Sequence, residues 1–271
     1  SPLLIQGDRL IWRPALSTMV INQRPSALNR NSKLVSNSLT FQQDSGQLLF
    51  AGPTKLSRWE KNFSSTIDPQ TLITAGHGRW NLNSGTIAAV GPIIANQANG
   101  RQLTAASMQG NTTKNFLDLK APVQFKLEDD KAVVDAGETR WDFEQNQLSS
   151  KAPVSASLTK GEVHGVGFII DIPSNTLMIS DSCNVAQPNK NLSANRCSWN
   201  WKNDLLTAAG HVNLKETGSD QVKRADQMQG EFNPDGSIRF SPSQNRVKTQ
   251  IKLESGKNKD INQKRPSQVQ F

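Results

Sequence analysis

Apolar and polar residues alternate with period two along most of the chain, the mark of strands that turn one face inwards. Trp80/Leu82, Trp141/Phe143, Phe168/Ile170/Ile172 and Trp199/Trp201 share one parity ahead of polar turns, and Leu117/Leu119/Ala121/Val123/Phe125 and Leu177/Ile179 share one after them. Between such runs stand Asn83-Ser-Gly85, Pro173-Ser-Asn175, Lys202-Asn-Asp204 and Asn233-Pro-Asp-Gly236. These residues reverse a chain because they tolerate positive φ or bond their own backbone. Each unit therefore predicts an antiparallel hairpin. Helical periodicity is weak throughout, leaving short pieces such as Asp220–Met228 as the places where a helix could form.

The units repeat. Ala75-Gly-His-Gly-Arg-Trp80, Ala136-Gly-Glu-Thr-Arg-Trp141 and Ala194-Asn-Arg-Cys-Ser-Trp199 superpose, with tryptophans 61 and 58 residues apart. Five residues separate Leu82 from Ile87, Phe143 from Leu148, Ile172 from Leu177 and Trp201 from Leu206. The Ile172 match falls midway between two tryptophan units, which halves the period to about 30, a length at which tandem repeats are the first explanation. A second marker agrees: Pro92, Pro122 and Pro153 are 30 and 31 residues apart, and the series continues at Ser182, His211 and Pro242, with Pro53 opening it after a longer connection. The expected fold is all-β, about eight hairpins and hence about sixteen strands, read as one elongated unit over residues 1–253. Asn22–Lys33 reads as an irregular connection, and the basic stretch 254–271 as a disordered tail. A parallel β-helix has the same period, but tight turns flanked by opposite-sense apolar runs favour reversal.

Composition narrows the function. Hydrophobic residues make up 35% and aromatics 6% with no tyrosine, so the core is thin and much of each strand faces water. Lysine and arginine exceed aspartate and glutamate by 31 to 23, a net charge of +8 that suits phosphate- or carboxylate-bearing partners. The charges are scattered rather than clustered with aromatics, which argues against nucleic acid. No apolar run approaches the roughly 18 residues of a membrane span. The chain starts at Ser1 and reads as mature or trimmed, so that any targeting segment or anchor would lie ahead of it.

Candidate chemistry is sparse. Cys183 and Cys197 lie 14 residues apart around the Gln187–Asn191 turn; a hairpin symmetric about Lys190 sets them opposite each other, close enough for a disulfide. Free buried thiols are the alternative. His77, His164 and His211 fall in different units, so no metal site is expected. Glu128-Asp-Asp130 sits in a predicted turn and reads as a solvated tip. No catalytic residues are assigned and no cofactor is expected. The best enzyme alternative is a β-helix protein that binds or cleaves polysaccharide; a structural assembly scaffold is the other reading.

The phrase Gly161-Glu-Val-His-Gly-Val-Gly-Phe168-Ile-Ile-Asp171-Ile-Pro-Ser-Asn-Thr-Leu177-Met-Ile-Ser resembles the repeat of the LptA/LptC (OstA-like) periplasmic family, and the likeness runs from about Leu34 to Val247. The resemblance implies a β-jellyroll with an open groove between two sheets, which takes lipopolysaccharide acyl chains from an inner-membrane ABC transporter and passes them to the next jellyroll. Length places the chain nearer LptC, whose membrane helix would precede Ser1 and tether it to the inner membrane from the periplasm. It implies lipid-facing roles for Trp80, Leu82, Ile87, Leu117, Leu119, Val123, Trp141, Phe143, Leu148, Ile170, Ile172, Leu177, Ile179, Trp199, Trp201 and Leu206. For each, ordinary core packing is the competing reading. Edge strands are the expected partner sites: Leu3–Trp12 towards the transporter and Arg246–Leu253 towards the next jellyroll.

Overall fold

The structure, a computed structural model, describes residues 3–97, 100–127, 131–216, 222–232, 237–241 and 248–250. The Glu128–Asp130 cluster, the Asn233–Gly236 turn, Pro242 and the stretch from 251 lie outside the described residues.

Alternation becomes architecture through a bend. Thr176–Gln187 shows how: its first half pairs with the end of Gly161–Asp171 and with Arg196–Asn200, while its second half pairs with the start of Gly161–Asp171 and with Lys190–Ala194. Each pass of the chain thus runs through one sheet, turns a corner and continues in a second. Of the 25 described strand segments, seven run unbroken round the corner and the other eighteen fall in successive pairs, one in each sheet, which makes sixteen described passes. Neighbouring passes are antiparallel in both sheets. That pairing excludes a parallel β-helix, and with it the β-helix polysaccharide reading. The fold is an all-β, antiparallel stack of bent hairpins.

Sheet I runs from Arg9–Arg13 to Ile238–Ser241 and sheet II from Leu4–Gln6 to Lys248–Gln250. Their shared corner explains the proline marker. Gly52-Pro53 separates Gln47–Ala51 from Thr54–Arg58, Ala121-Pro122 separates Phe116–Lys120 from Val123–Lys126, and the register shifts at Val90/Ile93, Ser150/Pro153 and Ala209/Val212. Ser182 and His211, which continue the series, have φ of 52° and 50°. Proline cannot donate to a ladder and a bulge bends its strand, so both belong where a pass leaves one sheet for the other. Corner hydroxyls take up the freed carbonyls: Ser36 Oγ donates to Ala51 O at 2.8 Å and Thr139 Oγ1 to Gly137 O at 3.1 Å.

Opposite the corner, the turns of sheet I stack into a second ladder. Gly46, Gly85, Asn115, Asn146, Asn175 and Asp204 all have positive φ. The carbonyl of each accepts from the first residue of the next turn in line: Leu82, Thr112, Phe143, Ile172, Trp201 and Phe232, at 2.6–3.3 Å. Asparagine, aspartate and glycine are the residues that occupy this left-handed region at least cost. Asn175→Ala is therefore expected to cost about 1 kcal/mol and Asn175→Gly a few tenths. Equal urea midpoints for the two variants would remove the backbone explanation.

Three expectations change. The piece around Asp220–Met228 is strand where it is described, Val222–Glu231, because its pairing with Leu205–Glu216 overrides a weak helical pattern. Asn22–Lys33 is not irregular: Ser26–Leu28 pairs with both Leu4–Gln6 and Ser32–Val35. The Cys183 hairpin reverses at Pro188-Asn189, with Gln187 facing Lys190, so Cys183 faces Ala194 rather than Cys197.

Candidate functional site

The inward face of sheet I is one row of register partners. From the first pass to the last it reads Trp12, Met19, Phe41, Leu48, Trp80, Ile87, Gly110, Leu117, Trp141, Leu148, Ile170, Leu177, Trp199, Leu206, Gly230 and Ile238. Nine of the sixteen residues singled out from the sequence lie on it. Tryptophan recurs every fourth pass, the structural cause of the 60-residue spacing. Leu119 and Ile179 lie in the neighbouring inward row, towards the corner. Leu82, Phe143, Ile172 and Trp201 open the stacked turns, at the other side of the main row. Val123 alone belongs to sheet II, where it faces Ala136.

The sequence reading missed Trp12, Met19, Phe41 and Leu48, because the connection 59–70 stretches the first spacing beyond 60 residues. Apart from Val123 and Phe125, it also missed the wall supplied by sheet II, where Ile73, Ala95, Leu103, Val134, Ala156, Val163, Val185, Leu192 and Leu214 are all buried. Those positions alternate as clearly as the others, but they are mostly small or β-branched and carry no tryptophan to mark the register.

The two walls meet in one apolar core. Trp80, Trp141 and Trp199 are 3–4% exposed and Ile170 is fully buried, while Leu82 and Phe143 are half-buried at the turn row. Trp80 Nε1 donates to Thr112 Oγ1 at 3.2 Å, whereas Nε1 of Trp141 and of Trp199 is buried without a partner. At the corner, Cys183 in sheet II is bonded to Cys197 in sheet I, with their Cα atoms 6.0 Å apart. The bond ties the two sheets across neighbouring passes. It forms without the symmetric hairpin, because both residues point inwards on either side of the bend.

The side opposite the corner is a mouth between two rows of turns. Among the described residues no backbone pairing crosses it, and long cationic side chains from sheet II do. Arg58 Nη2 donates to Asn115 Oδ1 at 3.1 Å, Lys131 Nζ to Trp201 O at 3.1 Å and Lys160 Nζ to Asp204 Oδ2 at 3.2 Å. Lys160 and Asp204 are each close to half-exposed, and a pair of that kind contributes about 1 kcal/mol or less. The arrangement offers a long dry interior of low polarity, closed by backbone at the corner and by a few side chains at the mouth.

Among the described residues no His, Asp or Glu side chain is buried in the interior. The described His, Cys, Asp and Glu residues form no group of three able to hold a metal ion. His77, His164 and His211 all lie exposed on different passes. Among the described residues no helix is long and apolar enough to cross a membrane.

At the N-terminal end the apolar row reaches the solvent. Trp12 is 56% exposed and Leu10 53%, because among the described residues no further pass covers them. Neither a protein-family model nor a curated protein matches the chain. Among solved structures it is similar to LptH of Pseudomonas aeruginosa, described as the LptA homologous periplasmic component of the lipopolysaccharide transport device, at 12% identity over 93% of this chain and 96% of that one, with a TM-score of 0.19.

Proposed function

We propose that this protein is a non-enzymatic lipid carrier of the periplasm, which holds the acyl chains of lipopolysaccharide between its two sheets. The observation that carries the reading is the inward row of sheet I, apolar from the first pass to the last and running at right angles to the strands. A lipid chain laid along such a row exchanges water for hydrocarbon at about 0.8 kcal/mol per methylene. The absence of a strong polar anchor along the row lets it slide. The interior is filled by its own side chains, so a lipid enters by parting the mouth, where only side-chain contacts resist.

The resemblance of Gly161–Ser180 to the LptA/LptC repeat supplies the identity of the lipid, and the Cys183–Cys197 bond suits an oxidising compartment. The chain acts as an LptC-like component, taking lipid from an inner-membrane ABC transporter and passing it on. Its partners join at the ends of the stack. Among the described residues Arg9–Arg13 pairs on one edge only, with Leu10 and Trp12 exposed, fit for strand addition; at the far end Lys248–Gln250 pairs with Val222–Glu231.

Photocrosslinking tests the carrier role in cells making labelled lipopolysaccharide. Lipid adducts are expected from Ile170, Ile172 and Leu177, which face inwards, and none from Asp171 and Met178, which do not. A folded protein that gives no adduct at any inward position is a scaffold rather than a carrier.

A further inference from the structure

A cavity of about 310 Å³ opens at the mouth, between the ends of Thr54–Arg58 and Thr86–Gln97 on sheet II and the turn that follows Thr139–Asp142 on sheet I. Arg58 and Arg101 line one wall, and Trp141 and Phe143 the other. Both cations are held largely away from water. Arg101 is 7% exposed, and burial holds the Arg58 guanidinium below its ordinary pKa.

The environment of Arg58 is unusual for a cation. Its guanidinium lies 4.5 Å over the Phe143 ring and gives one hydrogen bond, to the neutral amide of Asn115. Among the described residues no carboxylate lies within ion-pair distance of it. An arginine has five N–H donors, and a desolvated guanidinium without a counter-ion is destabilising until an anion reaches it. Glu60 and Glu144 also line the cavity, but both are exposed, where water and salt screen them.

We propose that this cavity is an anion site for a phosphate monoester, with Arg58 as its guanidinium ligand. Its planar fork matches the paired oxygens of a phosphate monoester, which carries close to two negative charges at neutral pH. If the acyl chains lie between the sheets as read above, the mouth is where the polar end of the lipid must stay, because it cannot enter the apolar interior without losing its hydration. The inference rests on that carrier reading only for the source of the phosphate.

Calorimetry on the full chain separates the two. The probes are lipopolysaccharide, the same lipid after enzymatic removal of its phosphates, and inorganic phosphate, each against wild type, Arg58→Leu and Arg58→Lys. Wild type is expected to prefer the phosphorylated lipid by about tenfold or more. Arg58→Leu, with an unchanged circular dichroism spectrum, is expected to bind both lipids alike and as tightly as wild type binds the dephosphorylated one; Arg58→Lys, which keeps the charge but not the fork, falls between.

Inorganic phosphate binding that is lost in Arg58→Leu marks a free anion as a second source, and none, with lipid discrimination intact, marks the headgroup as the source. Wild type binding both lipids alike, with no response to phosphate, overturns the anion site and leaves the carrier reading standing. Binding of neither lipid overturns the carrier reading, and the phosphate response then decides the anion site by itself: a response lost in Arg58→Leu upholds it and silence removes it.

Discussion

Trp199→Ala is expected to cost about 3–5 kcal/mol of folding stability, read as a lowered denaturant midpoint. Trp199 is 3% exposed and sits between Leu177 and Leu206 in the inward row. Its ring centroid lies 6.3 Å from that of Trp201 and 5.9 Å from that of Phe232. Truncation leaves a hole that the stacked turns, locked by Trp201 N–H to Asn175 O and Phe232 N–H to Asp204 O, cannot close. The hydrogen bond of the indole has no part in this. Nε1 is already without a partner, so Trp199→Phe removes an unsatisfied donor along with some volume and costs well under half as much. Trp80→Phe is the contrasting case, since it loses the bond to Thr112 and leaves that hydroxyl to its contact with Gly85 O. An alanine variant within 1 kcal/mol of wild type, roughly the error of such extrapolations, would mean that the row is not close-packed.

Removing the disulfide is the second large effect. The double variant Cys183→Ala/Cys197→Ala is expected to lose about 3 kcal/mol, the loop-closure value for a ring of this size. Position adds a structural reason. Cys183 is fully buried and Cys197 nearly so, and the bond joins sheet II to sheet I where the chain bends between Lys190–Ala194 and Arg196–Asn200. Without it the corner of these passes keeps Asn195 N–H to Gly210 O, the 3.3 Å contact of His211 Nδ1 with Asn195 Oδ1, and packing. In a stack where each pass contacts only its neighbours, the loss should be local, loosening passes near residues 183–212 before the rest. Hydrogen exchange resolves this: faster exchange confined to that region is expected, while uniform acceleration would show that the stack unfolds as a single unit. An unchanged midpoint in the double variant would remove the staple role altogether.

Much of the architecture was legible because strands report themselves locally. Trp141, Phe143 and Leu148 carry both the period-two alternation and the turn between them, so hairpin, parity and repeat length could all be counted without contacts. Gly85, Asn175 and Asp204 were recognisable as turn residues for the same reason: positive φ is a property of one residue and its side chain. The prolines were equally visible as a 30-residue marker. Their meaning was not, because Pro92, Pro122 and Pro153 look like strand interruptions until neighbouring passes show them stacked along one corner.

What the sequence by itself determined was which residues face inwards, where the chain reverses and how often the unit recurs, since alternation and turn chemistry act over a few residues. Only the tertiary structure decided that each pass bends between two sheets, that tryptophans 60 residues apart share one row, that Cys183 meets Cys197 without facing it in the hairpin, and that Arg58 and Arg101 come together at the mouth across from Trp141. The physical reason is that these depend on register between distant passes, and register is set by the summed fit of all the neighbours in the sheet rather than by any one segment.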